Sequence, residues 1–166
     1  MRNEQDEINA GLVAAAMRNI RLARRMRPSE LARELNMPLR TYEHLEAGRG
    51  KITYEKIVRF AEATNSDPVA ILLSIPLKSD AFAVRCADNK LATILTIALG
   101  ELNEELGDDI EFLEAGTLIG AFTRVTKDLK AHVANRDLFA ENWLKEHSPK
   151  VDGARHASRQ RWRLKP

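Results

Sequence analysis

The sequence predicts an all-α protein: five short helices, then a second helical region and a basic, disordered tail. Apolar residues make up 44% of the 166 residues and aromatic residues only 5%, a composition that favours helices over sheets. Apolar residues also recur at steps of three and four along most of the chain. This is the period of an amphipathic α-helix.

The first 76 residues divide into five helices, because a turn or capping residue separates each apolar stripe from the next. Asn36 and Gly48 suit the ends of the second and third helices, since both tolerate a left-handed backbone. Thr53 and Asp67 can cap the fourth and fifth helices, and Pro76 ends the unit. The residues expected to face the core are Leu12, Ala16, Ile20, Ala23, Leu31, Ala32, Leu35, Met37, Tyr42, Leu45, Ile57, Phe60, Ala61, Val69, Ile71 and Leu72.

The rest of the chain is predicted to form a linker, a helical dimerisation domain and a tail. Residues 77–87 are the linker, because Pro76 interrupts the helical pattern. Residues 88–147 hold two longer amphipathic helices, the first capped by Asp88 and stopped by Gly107, and a shorter one starting from Asp137. Apolar periodicity ends after residue 147, so residues 148–166 are predicted to be disordered.

The net charge is only +2, but the charged residues are distributed unevenly along the chain. Residues 17–27 contain five arginines and no acid, residues 101–114 contain seven acids and no Lys or Arg, and residues 145–166 contain seven Lys or Arg and two acids. Basic ends favour an anionic partner such as nucleic acid. Arg18, Arg24 and Arg25 in the first helix either form a solvated face or contact phosphates, and the tail either clamps a DNA backbone or is an inert solubilising segment.

Several classes of protein are excluded by composition and spacing. The longest nearly apolar run, residues 91–100, is far shorter than the roughly 18 residues of a membrane span, and the N-terminus lacks the apolar core of a signal peptide. We therefore expect a cytoplasmic protein with no membrane contact. A single cysteine, Cys86, and widely spaced histidines predict no disulfide, metal or cofactor. Residues 80–147 offer no Ser–Lys pair for self-cleavage. We therefore expect that the protein is not an enzyme.

Residues 28–48 have the spacing of two short helices joined by a tight turn. Ala32 is small enough for the second helix to cross the first closely, and the outer face of the second can then enter a DNA major groove about 12 Å wide. Over about residues 15–73 the chain resembles the Cro/cI-like (XRE-type) helix-turn-helix family of transcriptional regulators. The matching positions are Ile20-Arg21, Glu30-Leu31-Ala32, Leu35, Leu45-Glu46-x-Gly48, Ile57, Phe60-Ala61 and Ile71-Leu72. Asn36 and Pro38 replace residues that are usually Gly and Ser or Thr in the family, and the Gln common near the start of the second helix is missing.

The resemblance implies a role for particular side chains. Arg21 and Glu46 would form an ion pair between the first and third helices. Base reading would fall to the outward residues of the third helix, at about 38–47: Leu39, Arg40, Glu43 and His44. The residues expected to hold DNA phosphates are Ser29, Thr41, Arg49 and Lys51.

Taken together, these features predict a sequence-specific regulator, and more particularly a repressor, that binds a near-palindromic operator in double-stranded DNA as a homodimer. The C-terminal helices would supply the dimer contacts, because three helices are too few to enclose their own apolar stripes. The expected dimerisation residues are Leu95, Leu99, Leu102, Phe122, Val125 and Leu129. An alternative is an antitoxin-like or adaptor protein whose C-terminal helices bind a second protein partner.

Overall fold

The computed structural model describes the backbone of residues 4–161 and their side chains, apart from those of 137, 139–140 and 143–161. This range is helical without strands, which confirms the predicted all-α class. Its elements are α1 (Glu4–Ala23), α2 (Pro28–Glu34), α3 (Leu39–Glu46), α4 (Tyr54–Thr64), α5 (Pro68–Leu73), α6 (Asp80–Cys86), α7 (Leu91–Leu106), a 3-10 helix (Gly107–Phe112) and α8 (Ala115–Arg161). The chain divides into two compact units, Met1–Gly107 and Asp108–Pro166.

The five helices predicted for residues 1–76 are α1 to α5 of the first unit. Thr53 caps α4 by accepting a hydrogen bond from the Lys56 backbone N–H at 3.4 Å. Asn36 and Gly48 have the expected left-handed backbone, with φ of 51° and 69°. Phe60 is among the largest fully buried side chains, and the core residues from all five helices form one apolar cluster.

Helix α1 differs in detail from the prediction. It begins at Glu4, and its buried face is rotated from the predicted stripe, so that Leu12 is half-buried and Ala23 is exposed. The buried residues of α1 are Val13, Ala14, Ala16, Met17, Ile20 and Arg21. Four alanines and a glycine between residues 10 and 16 leave the stripe weakly defined in the sequence, because small side chains fit on either face.

The predicted linker, residues 77–87, contains a helix instead. Helix α6 packs against α1 and α5, and its Ala83 and Cys86 side chains are buried. The Asn19 side-chain amide donates a hydrogen bond to the Asp80 carboxylate at 2.8 Å, which ties the start of α6 to α1. A helix of seven residues shows barely two turns of periodicity, so its apolar pattern is too short to be distinguished from a loop.

The start of α7 belongs to the first unit, although the sequence assigned residues 88–147 to a separate domain. The predicted cap, Asp88, instead pairs with Arg24 at 2.7 Å. Two free N–H groups of the first turn of α7 are satisfied by Asp67, which accepts hydrogen bonds from Ala92 N at 2.9 Å and Thr93 N at 3.1 Å, while Leu91 N donates to the Asn89 side-chain oxygen at 3.0 Å. The same carboxylate caps α5 through Val69 N and Ala70 N, so one buried side chain starts two helices.

The second unit consists mainly of α8. The shorter helix predicted from Asp137 is part of this continuous helix. Residues 148–161, predicted to be disordered, also continue α8. Pro149 and Gly153 disfavour a helix interior, but the alanines, arginines and glutamine of residues 154–161 have favourable helix propensities that need no apolar stripe. The end of the predicted tail, residues 162–166, lies outside the described residues. None of the helices within residues 4–161 has both the length and the apolar content needed to span a membrane.

Candidate nucleic-acid interface

Helices α2 and α3 are joined by a tight turn. Asn36 takes the left-handed conformation, and the Met37 backbone N–H then donates a hydrogen bond to Ala32 O at 2.9 Å. Ala32 is 2% exposed, as expected for a small residue where two helices approach closely. Pro38 is the N-cap of α3, whose first helical residue is Leu39. The turn therefore presents α3 as a separate helix beside α2.

A buried ion pair fixes the far end of α3 to α1. The Arg21 guanidinium donates to both Glu46 carboxylate oxygens, at 2.6 and 3.0 Å, and to Met26 O at 2.9 Å. The Arg21 and Glu46 side chains are only 8% and 10% exposed. The structure thus brings together the two residues that the family resemblance pairs, and the hydrogen bond to Glu46 raises the pKa of Arg21.

Tyr42 is a third member of this cluster, for which the sequence predicted only a position in the core. Its hydroxyl donates a hydrogen bond to the Glu46 carboxylate. Burial raises the pKa of Tyr42 well above its ordinary value, and the hydrogen bond to Glu46 raises it further, so the hydroxyl keeps its proton. The sequence contained a signal for this contact, because Tyr42 and Glu46 are four residues apart on one helix and therefore neighbours on its surface. Arg21, Tyr42 and Glu46 together hold α3 in one orientation, since every polar atom in the cluster has a partner.

The opposite face of α3 is open. Tyr42 and Leu45 point into the core, while the predicted base-reading side chains are all exposed: Leu39, Arg40, Glu43 and His44. Leu39 is 43% exposed. The exposed face combines a cation, a carboxylate, an imidazole and an apolar side chain. These groups can read different base edges.

The predicted phosphate contacts lie around this face and are also exposed: Ser29 in the first turn of α2, Thr41 on α3, and Arg49 and Lys51 in the following loop. Two glycines shape this loop. Gly48 has a φ of 69°, and a Cβ on Gly50 would lie 3.1 Å from the Leu45 Cα. The loop therefore passes close to the end of α3, which keeps its two cations near the helix.

Arg24, one of the candidate phosphate contacts on α1, has a structural role. Its guanidinium donates to Thr64 O at 2.8 Å, to Asn65 O at 2.9 Å and to Asp88. These carbonyls lie at the C-terminus of α4, where a cation is favourable. Arg18 and Arg25 are exposed.

The predicted dimerisation residues lie on two helices. Leu95 and Leu99 of α7 are exposed and Leu102 is half-buried, while Phe122, Val125 and Leu129 of α8 are exposed. They are three or four residues apart within each helix, so each helix has an apolar stripe that its own unit does not cover.

The fold and the exposed face of α3 are typical of a DNA-binding domain, and the family comparison agrees. Residues 12–71 match the family model of a helix-turn-helix domain. This part of the chain is a helix-turn-helix domain of the XRE, Cro-like type, which confirms the resemblance seen in the sequence and indicates a DNA-binding regulator. No curated protein and no solved structure matches the chain.

Proposed function

We propose that the protein is a sequence-specific transcriptional repressor that binds a near-palindromic operator as a homodimer through α3. The observation that carries the proposal is the contrast between the two faces of α3. Its inner face is held by the buried Arg21–Glu46 pair, and its outer face presents four exposed side chains of different chemistry. A rigid helix with a chemically varied outer face fits the recognition element of a major-groove reader.

The outward side chains match the donor and acceptor pattern of base edges. Arg40 can donate two hydrogen bonds to guanine O6 and N7, Glu43 can accept from a cytosine amino group, and Leu39 can contact a thymine methyl. His44 lies four residues after Arg40 and shares its face. Ser29, Thr41, Arg49 and Lys51 would hold the phosphates on either side and set the docking register.

The length of a DNA operator supports the proposed homodimer. One recognition helix covers one half-site, and two half-sites about 34 Å apart on a near-palindrome supply the affinity of a specific operator. The exposed leucines of α7, together with Phe122, Val125 and Leu129 of α8, supply apolar surface for a shared helical core. Repression then needs no further activity, because an occupied promoter is blocked.

Arg40→Ala tests the reading role. Loss of a bidentate base contact should weaken specific binding by about 1–3 kcal/mol and leave binding to random DNA almost unchanged. Arg85→Ala is the matched control, because Arg85 is an exposed arginine on α6, outside the α2–α3 pair. The operator is first selected from a random DNA pool, and both variants are then titrated on it and on scrambled DNA. Equal weakening on both DNAs would make Arg40 a phosphate contact only.

A second candidate function is an adaptor whose C-terminal helices bind another protein. The exposed apolar stripes of α7 and α8 favour it, because a different protein can cover such a stripe as well as a second copy can. Purification of the full chain from its own cells separates the two functions. A stoichiometric foreign protein on a monomeric chain supports the adaptor, whereas a dimer bound to one promoter fragment supports the repressor.

A further inference from the structure

Helix α7 has a second exposed face beside the apolar stripe of Leu95, Leu99 and Leu102, which we call the leucine stripe. Ile94 and Ile97 are 56% and 57% exposed, and Glu101 and Glu105 follow on the same face at steps of four. We call these four residues the isoleucine–glutamate face. One helix contact covers a single stripe, so a dimer contact through Leu95 and Leu99 would leave this face open to water.

Helix α8 has an exposed face with the complementary order of side chains. Ile119 is 68% exposed and Phe122 52% exposed, and Lys127 and Lys130 follow them in a shallow groove along the helix. We call these four residues the isoleucine–lysine face, and Phe122 lies at its border with the apolar stripe of Val125 and Leu129. Among the described residues, the two glutamates of α7 and the two lysines of α8 form no ion pair.

The two faces match in register as well as in charge. Ile94 and Glu105 are eleven positions apart on α7, and Ile119 and Lys130 are also eleven positions apart on α8. At 1.5 Å per residue, each pair spans about 16 Å along its helix. If α7 and α8 lie parallel, one alignment places Ile94 opposite Ile119 and also places Glu105 opposite Lys130.

A parallel arrangement requires a second copy of the chain. Only residues 107–114 join α7 to α8, and six of them form a compact 3-10 helix, with a rise of about 2 Å per residue. Such a short connection cannot return the chain along the roughly 24 Å length of α7. A turn back through it would lay α8 antiparallel to its own α7 and would place the lysines opposite Ile94 instead of Glu105.

We infer that the isoleucine–glutamate face of α7 binds the isoleucine–lysine face of α8 from the partner copy, with the two helices parallel. The inference rests on the proposed homodimer and specifies which helices of the two copies contact each other. The leucine stripes form the centre of the shared core, and each α8 covers the outer face of the partner's α7. The acidic and basic segments neutralise each other across the two copies.

Charge reversal in the full chain tests this arrangement. One variant combines Glu101→Lys with Glu105→Lys, the second combines Lys127→Glu with Lys130→Glu, and the third has all four changes. The substitutions are on exposed positions, and circular dichroism melts check that each variant stays folded. The dimer dissociation constant is measured by sedimentation in low salt and again in high salt.

Each two-site variant alone should dimerise at least about tenfold more weakly in low salt, because four attractive pairs in the dimer become repulsive. Mixing the two variants in equal amounts should restore the wild-type dissociation constant, since each copy then meets its complement. The four-site variant should also dimerise like the wild type. High salt should reduce all of these differences. Arg124→Glu, compared with Lys130→Glu, is the matched single control, because Arg124 lies about 120° round α8 from Lys130, and it should have the smaller effect.

Three results would overturn the inference. Rescue by the four-site variant without rescue by mixing would mean that the faces meet within one chain. No rescue at all, or two-site variants that dimerise like the wild type, would mean that the faces do not pair. A wild-type chain that is monomeric would instead refute the proposed homodimer, so the two failures are distinguishable.

Discussion

Asp67→Asn should detach the start of α7 while leaving α5 capped. One carboxylate oxygen of Asp67 accepts hydrogen bonds from Val69 N, Ala70 N and the Thr93 hydroxyl, at 3.0, 3.1 and 2.7 Å. The other oxygen accepts from Ala92 N and Thr93 N. An asparagine keeps one oxygen for α5, but its NH₂ group then faces the two N–H donors of α7, and donors repel donors.

The expected loss is large because the site is buried. Asp67 is fully buried. Loss of an N-cap costs about 0.5–2 kcal/mol, and a buried donor left without an acceptor costs about 1–3 kcal/mol. We expect Asp67→Asn to lower the free energy of unfolding of the first unit by about 2–4 kcal/mol, and Asp67→Ala, which removes both caps, to lower it further. A domain of this size is stable by only about 5–15 kcal/mol.

Urea unfolding measures the loss, and amide hydrogen exchange locates it. In Asp67→Asn, the amides of Ala92 and Thr93 should exchange faster, while those of Val69 and Ala70 stay protected. Asp88→Asn is the control, because the Asp88 side chain is 80% exposed and its ion pair with Arg24 should contribute under about 1 kcal/mol. Wild-type stability and wild-type protection of Ala92 in Asp67→Asn would refute the capping argument.

The same carboxylate makes this stability pH-dependent. Burial alone raises the pKa of Asp67, but the Thr93 hydroxyl and the N–H groups of Thr93, Ala70 and Ala92 stabilise the carboxylate, so its pKa is lowered overall from the usual 3.8. A lowered pKa stabilises the folded state above pH 3.8, and this contribution disappears as the pH falls through the folded-state pKa. The stability gap between wild type and Asp67→Asn should therefore be constant near neutrality and narrow in acid. A gap independent of pH would contradict this.

Three further predictions concern the interface and the assembly. Glu46→Gln should leave the buried Arg21 charge without its counter-ion and lower the melting temperature, at a cost of about 3 kcal/mol, and an unchanged melting curve would show that the pair does not stabilise α3. Leu99→Asp should yield a monomer that binds its operator far more weakly, because a charge would enter the proposed shared core, and light scattering would reveal a persisting dimer. Deletion of residues 149–166 should flatten the salt dependence of DNA binding by about 0.9 for each phosphate that the tail neutralises, and an unchanged slope would make the tail inert.

The first five helices could be predicted because their signals are local. Thr53 caps the helix that begins at the next residue, and the left-handed Asn36 terminates α2 within its own turn. The start of α7 could not be predicted in this way. Its capping group, Asp67, is 25 residues earlier than Ala92, and no local pattern distinguishes it from a residue that caps only α5. Asp88 had the better local position but is used by Arg24 instead.

The exposure of the candidate base-reading residues was predictable for a different reason. Leu39, Arg40, Glu43 and His44 follow from helical periodicity once Tyr42 and Leu45 are assigned to the core. Arg24 shows the limit of this reasoning. A solvated arginine and one that caps a distant helix look identical in sequence, and only the packing of α1 beside the end of α4 decides between them.

The position of α7 has a consequence for the DNA that such a dimer can accept. Helices α5 and α7 start on the same carboxylate, and Lys90 also donates to Asn65 O at 2.7 Å. The helix-turn-helix domain is therefore joined without a flexible linker to α7, the helix proposed to join two copies. An extra base pair between half-sites moves them apart by about 3.4 Å and rotates one against the other by about a tenth of a turn. A flexible tether would absorb that shift, whereas these capped helices would not. The operator should therefore tolerate base changes at its centre far better than a change in its length.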